Sequence, residues 1–368
     1  MPKTLPPQPN ELELSLFGPG IGECVVIHLG NGEWLVVDSC RASDGKCPVA
    51  LEYLQGMGVD VENQVKLIVV THWHDDHIRG LAQLVGHAGS AHFACSAALR
   101  CAEFYALVAA DRDVRLVEYS SGVSEFAEVL NILERRGKAR RPAGPDYWAA
   151  EGNRLYADTV RNIEVWALSP SAQTITDSKR ALAALLPSPG EPIRRFHQPT
   201  PNDLSVAIVV LAPGINLLLG ADLEKGRDDT SGWRAVIRSS VNPKDRSHVY
   251  KVAHHGSSGA DLNEIWTELL ERQAYAVLAP YAAGATPLPS PGDVKRIKGF
   301  TDNLYCTAWP PTKSPPRRDP AVERTMKEMV RTHRGIRKQP GHIRVRFPLP
   351  GSFPSGTIVN LFGDAAKL

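Results

Sequence analysis

The strongest constraint in this sequence is a cluster of ionisable side chains at residues 72–77, which read His-Trp-His-Asp-Asp-His. The cluster follows directly on a largely apolar run, Val65–Val70, which is typical of a strand buried on both faces. Helical spacing resumes at Ile78, so the cluster occupies a strand-to-helix turn, where α/β folds gather ligands. Burying so many polar groups without a partner would cost on the order of several kcal/mol. We therefore predict a metal site and disfavour a turn of solvated histidines.

The types and spacing of these side chains indicate two metal ions. Imidazole nitrogen together with carboxylate oxygen suits Zn²⁺, at about 2.0 to 2.2 Å. His72 and His74 are two residues apart on an extended turn and can address one cation, whereas Asp76 and His77 can address a second. The expected cofactors are two divalent metal ions, with Zn²⁺ favoured and Mn²⁺ as the alternative.

Eight segments, including the one that precedes the cluster, have the apolar pattern of strands. Three of the remaining seven lead into acidic or histidine residues. The predicted strands are residues 12–17, 23–28, 33–38, 65–70, 205–211, 215–219, 249–253 and 342–347. The strand at 33–38 ends in Asp38, the strand at 215–219 precedes Asp222, and the strand at 249–253 precedes His254 and His255. Helices are predicted at 48–57, after Ile78, and at 321–333.

The motif His72-x-His74-x-Asp76-His77 resembles the signature of the metallo-β-lactamase superfamily, and the resemblance extends over most of the chain. It implies an α/β fold, the αββα sandwich of two mixed β-sheets flanked by helices, here with a helical insertion. Asp38 resembles an aspartate that supports the metal site by hydrogen bonding, and Asp222 resembles the aspartate that bridges both metals. The implied metal ligands are His72, His74, Asp76, His77, Asp222 and His255.

Within the superfamily, the sequence is most similar to the metallo-β-lactamase domain of the ComEC DNA-uptake proteins and their soluble relatives. Residues 20–24, 202–206 and 289–291 carry this finer resemblance. Many superfamily members place a third histidine on the first metal, in the region where this chain has Asn202 and Ser205. These two residues are expected to support the site without binding metal. His197 is an alternative ligand, although a lone histidine in a proline-rich loop is more often solvated.

The predicted metal pair, and the side chains next to it, suggest a division of roles around the metals. Asp76, or Asp75 beside it, is expected to orient a metal-activated hydroxide and to help protonate the leaving group. His254 joins them as a catalytic candidate, because His255 is favoured over it as the ligand. Ser257, Ser258 and Lys251 are predicted to bind substrate, although Ser257 could instead cap a helix.

Two observations favour a phosphodiester substrate, either nucleic acid or a nucleotide derivative. One is the ComEC-like resemblance, and the other is an excess of positive charge at residues 311–346, which hold eleven Lys or Arg against three Asp or Glu. The basic side chains noted there are Arg317, Arg318, Arg331, Arg334, Arg337 and Lys338. Trp73 could stack on a base, but a tryptophan at a strand end more often packs in the core.

Three alternatives stay open. The same metal site could hydrolyse a small ester, thioester or lactam. The chain could be a non-catalytic metal-binding regulatory protein, which the near-complete ligand set disfavours. Redox chemistry at a di-iron site would need a flavin-type partner, and the sequence shows no flavin module.

Composition sets the remaining expectations. Forty-three per cent hydrophobic against 22% charged residues permits a sizeable core and argues against wholesale disorder. We expect one domain over residues 1–350, with an insertion at about 95–200, a basic insertion at about 310–340, and a C-terminal tail at 351–368. The sequence lacks a signal-peptide core and a membrane-length apolar run, which predicts a cytoplasmic protein without a membrane partner. A homodimer stays open. The six cysteines show no metal-binding or disulfide spacing and are expected to be reduced.

Overall fold

Two eight-stranded β-sheets form the centre of the protein. The structure, a computed structural model, describes residues 5–18, 22–42, 45–100, 121–137, 145–183, 201–282, 286–309 and 341–368. The first sheet contains β1 Glu11–Gly18, β2 Cys24–His28, β3 Trp34–Val37, β4 Val65–Val70, β5 His92–Ser96, β6 Tyr147–Ala149, β14 Gly341–Pro348 and β15 Ile358–Phe362. The second contains β7 Asn153–Asp158, β8 Ile163–Ala167, β9 Ile208–Ala212, β10 Ile215–Leu219, β11 Ser247–Lys251, β12 Leu270–Leu278, β13 Leu304–Cys306 and β16 Ala366–Lys367.

Both sheets mix parallel and antiparallel pairing. The strand order is β15-β14-β1-β2-β3-β4-β5-β6 in the first sheet and β16-β13-β12-β11-β10-β9-β8-β7 in the second. Strands β3 to β6 run parallel to one another, as do β10 to β13. The carboxyl ends of parallel strands in each sheet therefore meet at one edge, where ligands gather in open α/β sheets.

Helices cover the outer faces of both sheets. The α-helices of the described residues are α1 Val49–Gly56, α2 Val61–Gln64, α3 Asp75–Ile78, α4 Leu81–His87, α5 Ser121–Gly137, α6 Ala172–Ala183, α7 Gly232–Arg238 and α8 Pro291–Lys298. Helix α8 begins with a capping box, in which Ser290 and Asp293 each bind the backbone N–H of the other. None of the helices in the described ranges combines the length and apolar character that crossing a bilayer requires.

Alternating side chains divide the core into layers. Leu12, Leu14 and Leu16 of β1 point into the layer between the two sheets, together with alternate residues of the second sheet. A second apolar layer packs α1, α4 and α5 on the outside of the first sheet, and a third packs α7 and α8 on the second. The protein has the predicted metallo-β-lactamase αββα sandwich.

The structure corrects the predicted boundaries at two places. The region at 95–200 is not wholly an insertion, because β6 extends the first sheet while β7 and β8 complete the second. Residues 351–368 are not a tail, because β15 pairs with β14 and β16 pairs with β13. The edge strands β6, β15 and β16 are short or half-exposed and lack the apolar alternation that predicts strands. Strand β8 does alternate buried and half-buried residues, but the sequence analysis assigned it to the insertion. The predicted basic insertion at 310–340 lies outside the described residues.

Candidate metal centre

Asp38, at the carboxyl end of β3, holds two of the histidines in place from behind. Its Oδ1 accepts a hydrogen bond from the Thr71 backbone N–H at 2.8 Å, and its Oδ2 accepts from the Thr71 hydroxyl at 2.8 Å and lies 2.7 Å from His77 Nδ1. The same Thr71 hydroxyl oxygen lies 3.0 Å from His72 Nδ1. One buried carboxylate therefore orients both His72 and His77.

These contacts leave the outward-facing nitrogens free to bind a cation. An Nδ1–H on His77 must face the Asp38 carboxylate, so the lone pair resides on Nε2. In His255, Nδ1 lies 3.0 Å from the Ala279 carbonyl, which can only accept, and the lone pair again resides on Nε2. Histidines that bind metal commonly have their second nitrogen fixed in this way.

Two groups of donor atoms meet at the sheet edge. In each group, the potential ligand atoms all lie within 4.8 Å of one another. The first group is His72, His74 and Asp222, and His72 Nε2 faces His74 Nδ1 at 3.0 Å. The second group is Asp76, His77, Asp222 and His255. The structure thus brings all six predicted ligands together, with Asp222 common to both groups.

The donor atoms fit a pair of divalent cations. His77 Nε2 and Asp222 Oδ1 are buried and have no hydrogen-bond partner among the described residues, although they lie 3.4 Å apart. Unpartnered buried polar atoms are costly, and a cation between them would satisfy both. His72, His74 and Asp222 would hold one ion, and Asp76, His77, Asp222 and His255 the other.

The charge balance leads to the same conclusion. Burial lowers the pKa of His77, but the carboxylates of Asp222, Asp76 and Asp38 outweigh burial and hold the pKa well above its usual value. For His255, burial is likewise outweighed, chiefly by Asp222, and its pKa is raised. The clustered carboxylates therefore demand positive charge, which a metal ion supplies in place of protons.

The loops that carry the donors have strained backbones. Asp38, Ala221, His254 and His255 have φ values of 60°, 47°, 45° and 53°. Few L-residues adopt this region, although Asp and His adopt it more often than Ala does. The loops also approach very closely, because a Cβ on Gly220 would lie 2.8 Å from that of Ala253. A hydrogen bond of 2.9 Å from the His254 N–H to the Ala221 carbonyl joins the loop that carries Asp222 to the loop that carries His255.

His254 and Asn202 lie beside the donor groups rather than within them. His254 Nε2 is 3.3 Å from the Asn202 amide nitrogen, and Glu224 lies within 3.5 Å of His254 Nδ1 and 3.2 Å of the Asn202 amide. Asn202 Oδ1 and Ser205 Oγ are buried without a hydrogen-bond partner among the described residues. The predicted alternative ligand His197 lies outside the described residues.

Three predicted roles need correction. Lys251 is 1% exposed and pairs with Glu23, so its ammonium does not reach a surface open to substrate. Asp75 binds Arg79 at 3.0 Å on the protein surface and belongs to neither donor group. Trp73 is buried in the core outside the first sheet, which excludes base stacking.

The two predicted substrate serines differ in their settings. Ser257 Oγ accepts a hydrogen bond from the Gly259 N–H at 3.2 Å and so caps the short 3₁₀ turn Ser258–Ala260. Ser258 is exposed. The capping alternative therefore accounts for Ser257, and substrate binding by Ser258 stays a prediction.

Two side chains at the site were not predicted. Tyr281, just beyond β12, stacks on His255 with ring centroids 5.2 Å apart. Glu23 places its carboxylate behind the histidines, 3.9 Å from His77 Nδ1 and 3.6 Å from His255 Nδ1. The only sequence signal for Glu23 is its place directly after a glycine turn.

Comparison with known proteins agrees with this geometry. Residues 17–100, which include Asp38 and the whole cluster at 72–77, match the sequence model of the metallo-β-lactamase superfamily. No curated protein gives a significant match.

Solved metallo-β-lactamase structures resemble the chain only distantly. YhfI, a metallo-β-lactamase fold protein from Bacillus subtilis, is 11% identical, with 80% of this chain and 95% of that chain aligned at a TM-score of 0.39. LRA-12, a class B3 di-zinc metallo-β-lactamase from an Alaskan soil metagenome, is 12% identical, with 64% of this chain and 69% of that chain aligned at a TM-score of 0.33. The MIM-2 metallo-β-lactamase is 14% identical, with 58% of this chain aligned at a TM-score of 0.31. This chain spans 59% of the length of MIM-2.

Proposed function

We propose that this protein is a metal-dependent phosphodiesterase or nuclease that acts on nucleic acid or a nucleotide derivative. The coarser part of this proposal, a metal-dependent hydrolase of the metallo-β-lactamase superfamily, agrees with the fold, the matched segment and the candidate two-metal site. The choice of a phosphodiester goes further and depends on the chemistry of the donor atoms.

The observation that carries the proposal is the sharing of Asp222 between both donor groups. A carboxylate shared in this way would serve both cations, so that both could contact one substrate group. Two bound cations lower the pKa of a water molecule toward neutrality and stabilise charge on both the attacking and the leaving oxygen of a phosphoryl transfer. The chain would surround such a pair with four histidines and two carboxylates.

Asp76 is the side chain we assign to proton transfer. Its Oδ2 lies 3.5 Å from His255 Nε2 and 3.8 Å from His77 Nε2, in the middle of the second donor group. Burial raises the pKa of Asp76, but the imidazoles of His77 and His255 outweigh burial and leave the pKa below its usual value. The carboxylate is therefore ionised, and it can accept a hydrogen bond that orients an attacking water molecule and helps pass its proton to the leaving oxygen.

His254 and Asn202 are the donors we assign to substrate oxygens. Both lie at the edge of the first donor group, and His254 is only partly buried. The Asn202 amide donates toward Glu224 and His254 Nε2 in this structure, so a non-bridging phosphate oxygen would have to replace one of these acceptors. Fixed donors of this kind stabilise developing negative charge. Glu224 would hold both in place through its contacts with them.

The donor set also favours phosphoryl over acyl substrates. Among the described residues, the first group has two histidines, and Asn202 and Ser205 occupy the region where many superfamily members place a third. This departure disfavours a lactam substrate. The ComEC-like resemblance and the basic stretch at 311–346 support a phosphodiester substrate. Most of that stretch lies outside the described residues.

A substrate panel tests the proposal. The purified chain would be assayed with single-stranded DNA, RNA, cyclic nucleotides and bis(p-nitrophenyl) phosphate, and in parallel with carboxyl esters, a thioester and a lactam. Each assay would be run with Zn²⁺, with Mn²⁺ and with a chelator. We expect metal-dependent cleavage of phosphodiesters. Activity confined to the acyl substrates would overturn the phosphodiester assignment, and metal binding without any turnover would favour a regulatory role.

A further inference from the structure

Glu23 and Lys251 form an ion pair that is buried directly beneath the donor groups. Glu23 is 2% exposed and Lys251 is 1% exposed. Lys251 Nζ contacts Glu23 Oε1 and donates a hydrogen bond of 3.1 Å to the Ala221 carbonyl. Burying two charges costs desolvation energy that their attraction often fails to offset, so such a pair is a poor source of stability. Its position therefore suggests a role beyond stabilising the fold.

Several contacts of this pair lead to segments that carry a candidate metal ligand. The Glu23 backbone N–H donates to the Asp76 carbonyl at 2.9 Å. Lys251 binds the carbonyl of Ala221, which directly precedes Asp222, and Lys251 itself ends the strand that leads to His255. Asp76, Asp222 and His255, which are three of the four members of the second donor group, are thereby tied to one ion pair.

The carboxylate of Glu23 also lies behind both histidines of that group. Its Oε1 is 3.9 Å from His77 Nδ1, and its Oε2 is 3.6 Å from His255 Nδ1. Both distances are to the ring nitrogen that faces away from the cation position. Oε2 is buried and has no hydrogen-bond partner among the described residues, so Lys251 is the side chain that holds the carboxylate in place.

A negative charge behind a metal-binding imidazole makes the ring a better donor and fixes its orientation. Lys251 makes the burial of that charge tolerable, because its ammonium is a buried partner for the Glu23 carboxylate. The loop at Gly22 keeps the carboxylate at this depth, since a Cβ on Gly22 would lie 2.9 Å from the Asp76 carbonyl oxygen. The glycine thus permits the close approach on which the Glu23 contacts depend.

We propose that Glu23 and Lys251 are positioning residues that hold Asp76, Asp222 and His255 in the arrangement that binds the second cation. This inference rests on the proposed function, because it assumes that the second donor group binds a metal ion. Neither residue touches substrate. Changing the pair should weaken binding at the second donor group and leave the group of His72, His74 and Asp222 less affected.

The test compares Co²⁺ binding to the metal-free full-length protein with binding to a double variant, Glu23→Gln with Lys251→Met. Removing both charges together avoids leaving one of them unpaired in the interior. Co²⁺ titration followed by visible absorption reports the affinity and ligand field of each site, and urea unfolding of the metal-free protein reports stability. We expect affinity for one of the two Co²⁺ ions to fall about 10- to 100-fold.

A matched control removes a largely buried ion pair that lies within the first sheet, by Glu13→Gln with Arg346→Met. Arg346 Nε lies 2.7 Å from Glu13 Oε2, and neither residue belongs to a donor group. This control should alter the urea midpoint and leave both Co²⁺ affinities unchanged. The conservative variants Glu23→Asp and Lys251→Arg keep the charges and should retain more Co²⁺ affinity than the double variant. They also provide a test if the double variant fails to fold.

The outcomes separate the two proposals. If the unmodified protein binds two Co²⁺ ions and the double variant binds both equally well, the positioning role is wrong, whatever happens to stability. If the conservative variants also bind normally while the double variant is unfolded, the pair is only structural. If the unmodified protein binds no Co²⁺, the proposed function itself fails and takes the inference with it.

Discussion

Replacing Asp38 with asparagine should disable the second donor group without disturbing the backbone. Asn is one of the few residues that tolerates a positive φ, so it suits the φ of 60° at this position. Its side chain has the same shape but only one acceptor end. Asp38 accepts from the Thr71 backbone N–H at Oδ1, and from the Thr71 hydroxyl and His77 Nδ1 at Oδ2.

The size of the effect follows from these contacts. If the Asn oxygen still accepts the hydrogen bond from the Thr71 N–H, its NH₂ group must face His77 Nδ1. Nδ1 then has to accept a hydrogen bond, so the ring proton moves to Nε2. His77 thereby loses the Nε2 lone pair that would bind the cation beside Asp222. One charge-assisted hydrogen bond is lost, worth roughly 1.5 to 3 kcal/mol. At about 1.4 kcal/mol per tenfold change in affinity, metal binding should weaken roughly 10- to 100-fold.

Isothermal titration of metal-free protein with Zn²⁺ would measure this change. Asp60→Asn is a suitable control, because Asp60 caps the exposed helix α2 through its contact with Asn63 and lies outside both donor groups. Wild-type Zn²⁺ affinity in Asp38→Asn would refute the role of Asp38 in setting the His77 tautomer. Equal losses in both variants would show a general charge effect instead.

Three further predictions concern other parts of the molecule. Burial lowers the pKa of His28 to about 4, and its Nε2 accepts a hydrogen bond from the Gly32 N–H. The unfolded chain therefore takes up a proton at a higher pH than the folded protein does. As the pH falls from 6.5 to 4, the unfolding free energy should decrease by up to roughly 3 kcal/mol. Urea unfolding of metal-free His28→Gln should lack that part of the pH dependence, and an unchanged profile would contradict it. His254→Ala and Asn202→Ala should each lower kcat/KM for bis(p-nitrophenyl) phosphate about 100-fold while keeping both metals by elemental analysis, and loss of metal would instead make them ligands. Adding Zn²⁺ at 100-fold over its Kd should stabilise the fold by about 2.7 kcal/mol per site, visible as a higher Tm, and an unshifted Tm would argue against the site.

The fold and the donor set are largely readable from the sequence because their signals are local. Buried strands such as β4 and β10 are nearly continuous apolar runs, and the ligands follow them within a few residues. Parallel strands deliver these residues to a common sheet edge. The family resemblance orders the same landmarks, so His72 to His77, Asp222 and His255 could be predicted as one site.

What the sequence did not reveal depends on contacts between distant segments. A lysine is ordinarily exposed, so the burial of Lys251 follows only from its pairing with Glu23, which comes from the other sheet. Asp75 differs from Asp76 only in the direction of its side chain at the start of α3, where Arg79 lies one turn away. Edge strands such as β15 are half-exposed and short, and their pairing partners determine them more than their own pattern does.

Anomalous diffraction from crystals grown with Zn²⁺ would test most directly whether Asp222 joins two cation sites. We expect two peaks about 3.5 to 4 Å apart, one contacting His72, His74 and Asp222 and the other contacting Asp76, His77, Asp222 and His255. An absence of peaks at saturating Zn²⁺, or peaks that leave Asp222 without a metal contact, would contradict the two-metal centre and the hydrolytic function built on it.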